Sequence, residues 1–301
     1  MRTRALSGTD LTGSLLAVAM GVLFAFVVIF GTNLLHGEAP FTLLCLRFSV
    51  TTVLIAVVAA VTRNPLVPAR GERLGIALAG LFGYGVESAF YFSALNHGSA
   101  ATVTLLFYVY PVWVMLIASL LDREVPARIL VIALAMALGG GAVVILGGGG
   151  VAITALGAVL AICCSLVYTG YLTAADRVAK RSSPITTGLG VAAGAALANL
   201  TLAIVTGSWT VPTGHLAALR VLAMGAFTAA AFVCLVASLQ RIGAVRNGII
   251  GVLEPLTVAV LAALFLDQPI TASVVIGGLL ILGAGVLATV TGRPHIREPD
   301  V

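Results

Sequence analysis

The sequence predicts an all-α membrane protein, with ten transmembrane helices arranged as two inverted repeats of five. Three observations carry this prediction. Of 301 residues, 60% are hydrophobic and only 9% charged, with a mean hydropathy of +1.15. Soluble domains carry about 25% charged residues, and no water-soluble core could hide this much apolar surface. The basic residues fall almost entirely in alternate loops between the apolar runs. Finally, two proline-bearing stretches match each other without a gap, 144 residues apart.

A bilayer-crossing helix needs about 20 apolar residues. Cutting the chain at its loops gives ten such segments, at about 13–35, 41–61, 74–96, 99–121, 128–146, 153–175, 184–206, 216–239, 243–266 and 271–290. The first run, Gly13 to Leu35, is too long for a signal-peptide core of about 7–15 residues and is expected to remain as an uncleaved span. The third-to-fourth and eighth-to-ninth links are only a few residues long, which makes those neighbours antiparallel.

Orientation follows from charge. With the N-terminus inside, the inner loops hold Arg2, Arg4, Arg63, Arg70, Arg73, Arg123, Arg128, Arg177, Lys180, Arg181, Arg241, Arg246, Arg293 and Arg297, while the outer loops hold only Arg220. Arg47 lies within a span. One missed helix would scramble this bias, so both termini are expected on the cytoplasmic side. Five spans precede the Gly147–Gly150 run and five follow it; an odd number makes the second set enter inverted. The expected units are residues 13–146 and 153–290, with the glycine run as linker.

The matched stretches run from Leu95-Asn96-His97-Gly98-Ser99-Ala100 to Tyr110-Pro111, and from Leu239-Gln240-Arg241-Ile242-Gly243-Ala244 to Glu254-Pro255. The match extends to Leu121-Asp122-Arg123-Glu124 before span five and Leu266-Asp267-Gln268-Pro269 before span ten. A mid-helix proline frees the carbonyl four residues back, here those of Phe107 and Gly251, and bends the helix. In lipid the freed group must face protein or a water-lined cavity. Paired interruptions in corresponding segments of two halves point to a binding site at mid-membrane.

Several chemistries are excluded. Cys45, Cys163, Cys164 and Cys234 lie inside apolar helices and read as buried thiols. The four histidines, His36, His97, His215 and His295, form no metal-ligand pattern. The glycine run lacks a following Lys-Ser/Thr and is not a phosphate loop. No acid–base–nucleophile set appears, so no enzymatic activity, cofactor or metal is expected, and the basic residues serve orientation rather than nucleic acid.

Charges buried in a span cost about 2.5–3.5 kcal/mol each on insertion scales and need a reason. Glu87 in span three is flanked at i−3 and i+4 by Tyr84 and Tyr91, all on one helix face. A carboxylate between two phenols suits an amine or hydroxyl group, or a proton. Glu254 precedes Pro255 at mid-membrane, and Asn247 lies on the same face seven residues earlier. With the freed Gly251 carbonyl they form a polar patch, again suited to substrate or proton. Repeat alignment puts Ala231 opposite Glu87 and Tyr110 opposite Glu254, so the site is expected to be chemically asymmetric. Arg47 lies roughly 9 Å deep in span two and Glu87 roughly 13 Å deep in span three, at 1.5 Å per residue. These depths allow pairing, and Arg47 reads as a structural ion-pair residue. Tyr108, Tyr110 and Trp113 in span four and Tyr168 and Tyr171 in span six add aromatic faces for a planar or cationic ligand. Asn33 and Asn199 read as glue between helices. The glycines at 139–141, 277, 278, 283 and 285 read as close helix contacts, or as a dimer seam.

In several places the chain resembles the EamA-type, ten-helix branch of the drug/metabolite transporter superfamily. Pro40 followed by Leu46-Arg47-Phe48 looks like that family's second helix. Leu95 through Tyr108-Val109-Tyr110-Pro111 looks like its fourth, Asp122-Arg123-Glu124 like its acidic turn, and Gly243 to Pro255 like its ninth helix. The resemblance covers about residues 13–290. It implies two inverted five-helix repeats around a central cavity, lined mainly by helices one, three, four, six, eight and nine, and small metabolites as substrates, often exported. The second acidic turn, Asp267-Gln268-Pro269, departs from the pattern by lacking a counterpart of Glu124.

The expectation is therefore a secondary transporter that exports a small metabolite, such as an amino acid or related compound, or a drug. Glu87 or Glu254 would exchange a proton for cargo. The alternatives are a lipid-linked sugar flippase and a non-transporting membrane scaffold or sensor. Expected partners are a small-molecule substrate, membrane lipids and protons, but no nucleic acid, in a monomer or homodimer. Near-exclusive use of arginine over lysine, with Ala/Gly/Val richness, points to a high-GC bacterium and thus to the inner membrane.

Overall fold

The computed structural model describes residues 8–35, 39–121, 128–147, 153–178 and 181–291. The acidic turn at 122–124, the glycines 148–150 and the basic residues of both termini lie outside them. Twelve α-helices and one π-helical segment build the described part of the chain: α1 (Gly8–Leu35), α2 (Phe41–Val61), α3 (Arg73–Leu78), a π-helix (Ala79–Gly85), α4 (Val86–Leu95), α5 (Ala100–Phe107), α6 (Tyr110–Leu121), α7 (Arg128–Leu146), α8 (Ala155–Val178), α9 (Pro184–Val205), α10 (His215–Gly251), α11 (Leu253–Phe265) and α12 (Ala272–Thr291). Among the described residues, eight helical segments are long and apolar enough to cross a membrane, and Val131–Leu146 and Leu253–Phe265 are shorter apolar helices.

Local chemistry explains the element ends. Ser99 and Ser183 cap α5 and α9, each accepting the backbone N–H three residues on, from Thr102 and Thr186 at 3.2 Å. Pro184 follows at the first helical position. Inside the spans, hydroxyls such as those of Thr51, Thr104, Thr169 and Thr228 donate to the carbonyl four residues back, which keeps them satisfied in lipid.

Both expected helix breaks are present. Span four is interrupted at Tyr108–Val109, three residues before Pro111, and span nine at Val252, three before Pro255. Positions 108 and 252 differ by 144, the repeat spacing. The expected loop between spans eight and nine takes another form: helical geometry persists from His215 to Gly251. Ser238 nevertheless donates to the Asn247 amide oxygen at 2.8 Å, nine residues on. A straight helix would separate them by about 13.5 Å, so the chain reverses between them.

The two halves pack as a symmetric pair. Span one (α1) lies against spans eight and nine, and span six (α8) correspondingly against spans three and four. Span two pairs with span seven, five with ten, and four with nine. The pairs run antiparallel. The start of α2 bonds the end of span seven, with Thr42 donating to the Ser208 carbonyl at 3.1 Å, while Ile55 near its other end packs with Leu189 and Ala192 near the start of α9. In the five–ten pair, Gly147 faces Ser273 and Met136 faces Gly283. The repeats are therefore inverted. Gly140 and Gly277 form the close point of this seam, where a Cβ on Gly140 would stand 2.7 Å from the Gly277 carbonyl oxygen. These glycines make their contact within one chain.

The outer surface is a girdle of exposed apolar side chains, among them Phe82 at 68% and Leu279 at 66%. In water such a surface would drive aggregation; in lipid it is ordinary solvent contact. The chain is a multi-pass membrane protein.

Candidate functional site

The π-helix determines how span three presents its polar groups. Three of its seven residues are glycines, Gly80, Gly83 and Gly85. A Cβ on Gly80 would stand 2.6 Å from the Val191 carbonyl oxygen, and one on Gly85 2.7 Å from the Ala198 Cβ, so α9 packs directly on backbone. On the other side Gly83 lies under the Tyr171 ring, 2.8 Å from a built Cβ. Asn199 donates to the Gly85 carbonyl at 3.3 Å and to its own helix at Ala195, at 2.9 Å. It thus joins two spans, whereas among the described residues Asn33 bonds its own helix, at Ile29. A π turn takes one residue more than an α turn and recurs at functional sites. This one carries Tyr84 and ends two residues before Glu87.

Glu87 is buried. Ser88 donates to its Oε2 at 3.0 Å, and the Cys164 thiol to its Oε1 at 3.4 Å. Tyr91, one turn on, shares a 2.6 Å hydrogen bond with Thr104 of span four. Arg47 is 3% exposed, and its Nε donates to Thr228 of span eight at 2.9 Å. Its guanidinium lies over the rings of Phe48 and Phe92, at 4.6 and 5.4 Å. The hydrogen bonds of Arg47 and Glu87 thus run to different partners, while the two side chains stay within electrostatic range.

Glu254 enters from the opposite half. It is half-buried at the start of α11, where α1 offers Gly21: a Cβ there would stand 3.4 Å from the Glu254 Cβ. The Tyr108 hydroxyl lies 2.9 Å from the Gly251 carbonyl oxygen and 3.0 Å from Glu254 Oε2, donating towards both. The carbonyl freed by Pro255 is therefore taken up by a tyrosine at the other repeat's break. Glu254 also lies within electrostatic range of Glu87 and Arg47.

Aromatic rings join these groups. All six tyrosines of the chain belong to one run of ring contacts. Tyr84 meets Tyr171 at 5.8 Å, Tyr171 stacks on Tyr168 at 5.9 Å, and Tyr168 meets Tyr110 edge-on at 4.9 Å. Tyr110 meets Tyr108 at 5.7 Å, and Phe107 links Tyr108 to Tyr91, each at 5.6 Å.

Among the residues singled out from sequence, Glu87, Glu254, Tyr84, Tyr91, Tyr108, Tyr110, Tyr168 and Tyr171 come together. Asn247 is engaged by Ser238 at the span-eight reversal instead of by Glu254. Trp113 places its Nε1 in the interior without a hydrogen-bond partner among the described residues, and so does the Ser165 hydroxyl on the α8 face that carries Cys164 and Tyr168. Sequence reasoning missed Thr104, Thr228, Ser165 and the role of Cys164. Repeat alignment combined with helix pairing could have found Cys164: span six must face span three wherever span one faces span eight. Among the described residues, no group of three or more His, Cys, Asp or Glu could hold a metal.

The arrangement can hold a proton on either carboxyl, or accept hydrogen bonds from an amine or hydroxyl between aromatic faces. Comparison with known proteins adds a family and a fold. The family model described as the EamA-like transporter family matches residues 11–146 and again 155–290. A solved structure titled "Crystal structure of protein" matches with TM-score 0.64 at 23% identity, covering 96% of this chain and 100% of that one. At that identity the likeness concerns the fold alone. The search of curated proteins found no match.

Proposed function

Because the chain belongs to the EamA-like transporter family, we propose that it is a secondary transporter exporting a small amine- or hydroxyl-bearing metabolite or drug across a bacterial inner membrane, in exchange for protons. The observation that carries this reading is the meeting of the two helix breaks at one place. Tyr108 from the first break bonds Glu254 and Gly251 of the second, and Glu87 is held nearby by Ser88 and Cys164. Two carboxyl groups among tyrosines form a site that a cationic or hydrogen-bonding cargo can enter when a proton leaves. The Ser165 hydroxyl and Trp113 N–H, without partners among the described residues, offer further groups for cargo to bond. The inverted repeats supply the motion, rocking of one against the other around a fixed site. The excess of basic residues in the inner loops supports a cytoplasmic position for both termini.

The test is reconstitution in proteoliposomes with an imposed pH gradient, using candidate cargoes drawn from metabolite profiles of deletion and overexpression strains. Cargo movement that follows the gradient, and loses that dependence in Glu254→Gln or Glu87→Gln, supports the reading. Transport indifferent to the gradient removes proton exchange from it.

A further inference from the structure

We propose that Tyr108 is a positioning residue that couples the protonation of Glu254 to the geometry of the second-half helix break; this rests on the proton-exchange reading above. The phenol carries one proton and faces two acceptors, the Gly251 carbonyl at 2.9 Å and Glu254 Oε2 at 3.0 Å. With Glu254 protonated, a closed chain forms: the carboxyl O–H donates to the Tyr108 oxygen, and the Tyr108 O–H donates to Gly251. Every group is satisfied, and the break is tied to the first repeat. When the proton leaves Glu254, the carboxylate is the stronger acceptor and draws the phenol proton to itself. The Gly251 carbonyl, which Pro255 already deprives of its helical donor, then has none, and the break is released. No other bond forms or breaks. Proton loss thus frees the segment that rocking must move.

The charged and titratable groups around Glu254 are Tyr108 and Tyr110 of span four, Tyr84, Glu87 and Tyr91 of span three, and Arg47 of span two. Span one contributes Gly21. Tyr108 is the member of this set that hydrogen-bonds both the carboxylate and the freed carbonyl.

Hydrogen exchange of the full chain in nanodiscs tests this, reading peptides that span residues 249–262 and correcting for intrinsic rates. The wild type is expected to exchange about tenfold more slowly at pH 5 than at pH 9, a factor in keeping with leaving a buried carbonyl unpaired. Glu254→Gln, whose amide can donate to Tyr108 as the protonated acid does, is expected to be slow at both pH values. Tyr108→Phe is expected to be fast at both, with α7 and α12 peptides unchanged. A wild type without pH-dependent protection, a Tyr108→Phe variant that keeps it, or a Glu254→Gln variant that still responds to pH would overturn the proposal. The readout needs no cargo. Flat exchange with active, proton-driven transport removes the coupling and leaves the transporter, whereas pH-dependent protection without transport does the reverse.

Discussion

The first-half break at Tyr108–Val109 and the second-half break at Val252 occupy the same place in their repeats, yet they are held differently. At the second, a freed carbonyl and a carboxylate are both engaged by a phenol from the opposite repeat. At the first, Thr169 reaches the Tyr110 carbonyl at a long 3.4 Å, while also donating to its own helix at 2.8 Å. The backbone device was duplicated, and the side chains beside it diverged. Bending a span requires only a proline; beside the second bend stands the carboxylate of Glu254, where the first has the phenol of Tyr110.

Substitutions at equivalent positions can break or sharpen this contrast. The largest effect is expected from Glu254→Gln, which should lower gradient-driven transport by about 100-fold or more, the scale of removing one positioned proton carrier. Tyr110→Phe, at the aligned position, should cost only a few-fold in the same proteoliposome assay. Next come the prolines. Pro255→Ala restores an N–H that competes with Tyr108 for the Gly251 carbonyl, and it should slow transport by roughly tenfold, equivalent to about 1.4 kcal/mol. Pro111→Ala should change it by no more than about threefold; equal losses would mean that the two bends matter alike. Tyr108→Phe should also destabilise the folded protein by about 1.5–3 kcal/mol, as expected for a buried hydrogen bond to a charged group, read from thermal unfolding in detergent. Thr169→Ala, at the looser contact of the first half, should cost about 0.5–1 kcal/mol.

The spans and bends were legible because their signals are local: an apolar run of sufficient length, and a proline with its orphan carbonyl. The freeing of the Gly251 carbonyl could be read from Pro255 alone. Its partner could not, since Tyr108 reaches it only once span four packs on span nine. The same holds for Arg47, whose depth allowed a pairing with Glu87 while the fold gave its Nε to Thr228. It holds too for Cys164, whose thiol reads as inert until α8 brings it to the carboxylate. The helix between spans eight and nine escaped because a reversal through continuous helical geometry leaves no run of turn residues. The π-helix escaped because glycines at 80, 83 and 85 read equally well as close packing, which they also provide.

That π-helix stores a one-residue step in span three. Were the segment to tighten into ordinary α geometry, everything beyond Gly85 would turn by about 100° and advance by about 1.5 Å relative to α3. Glu87 would swing off Cys164, and Tyr91 off Thr104. The aim of a carboxylate in the third span is thus set by a single backbone residue, held in place by the close packing of α9 on Gly80 and Gly85.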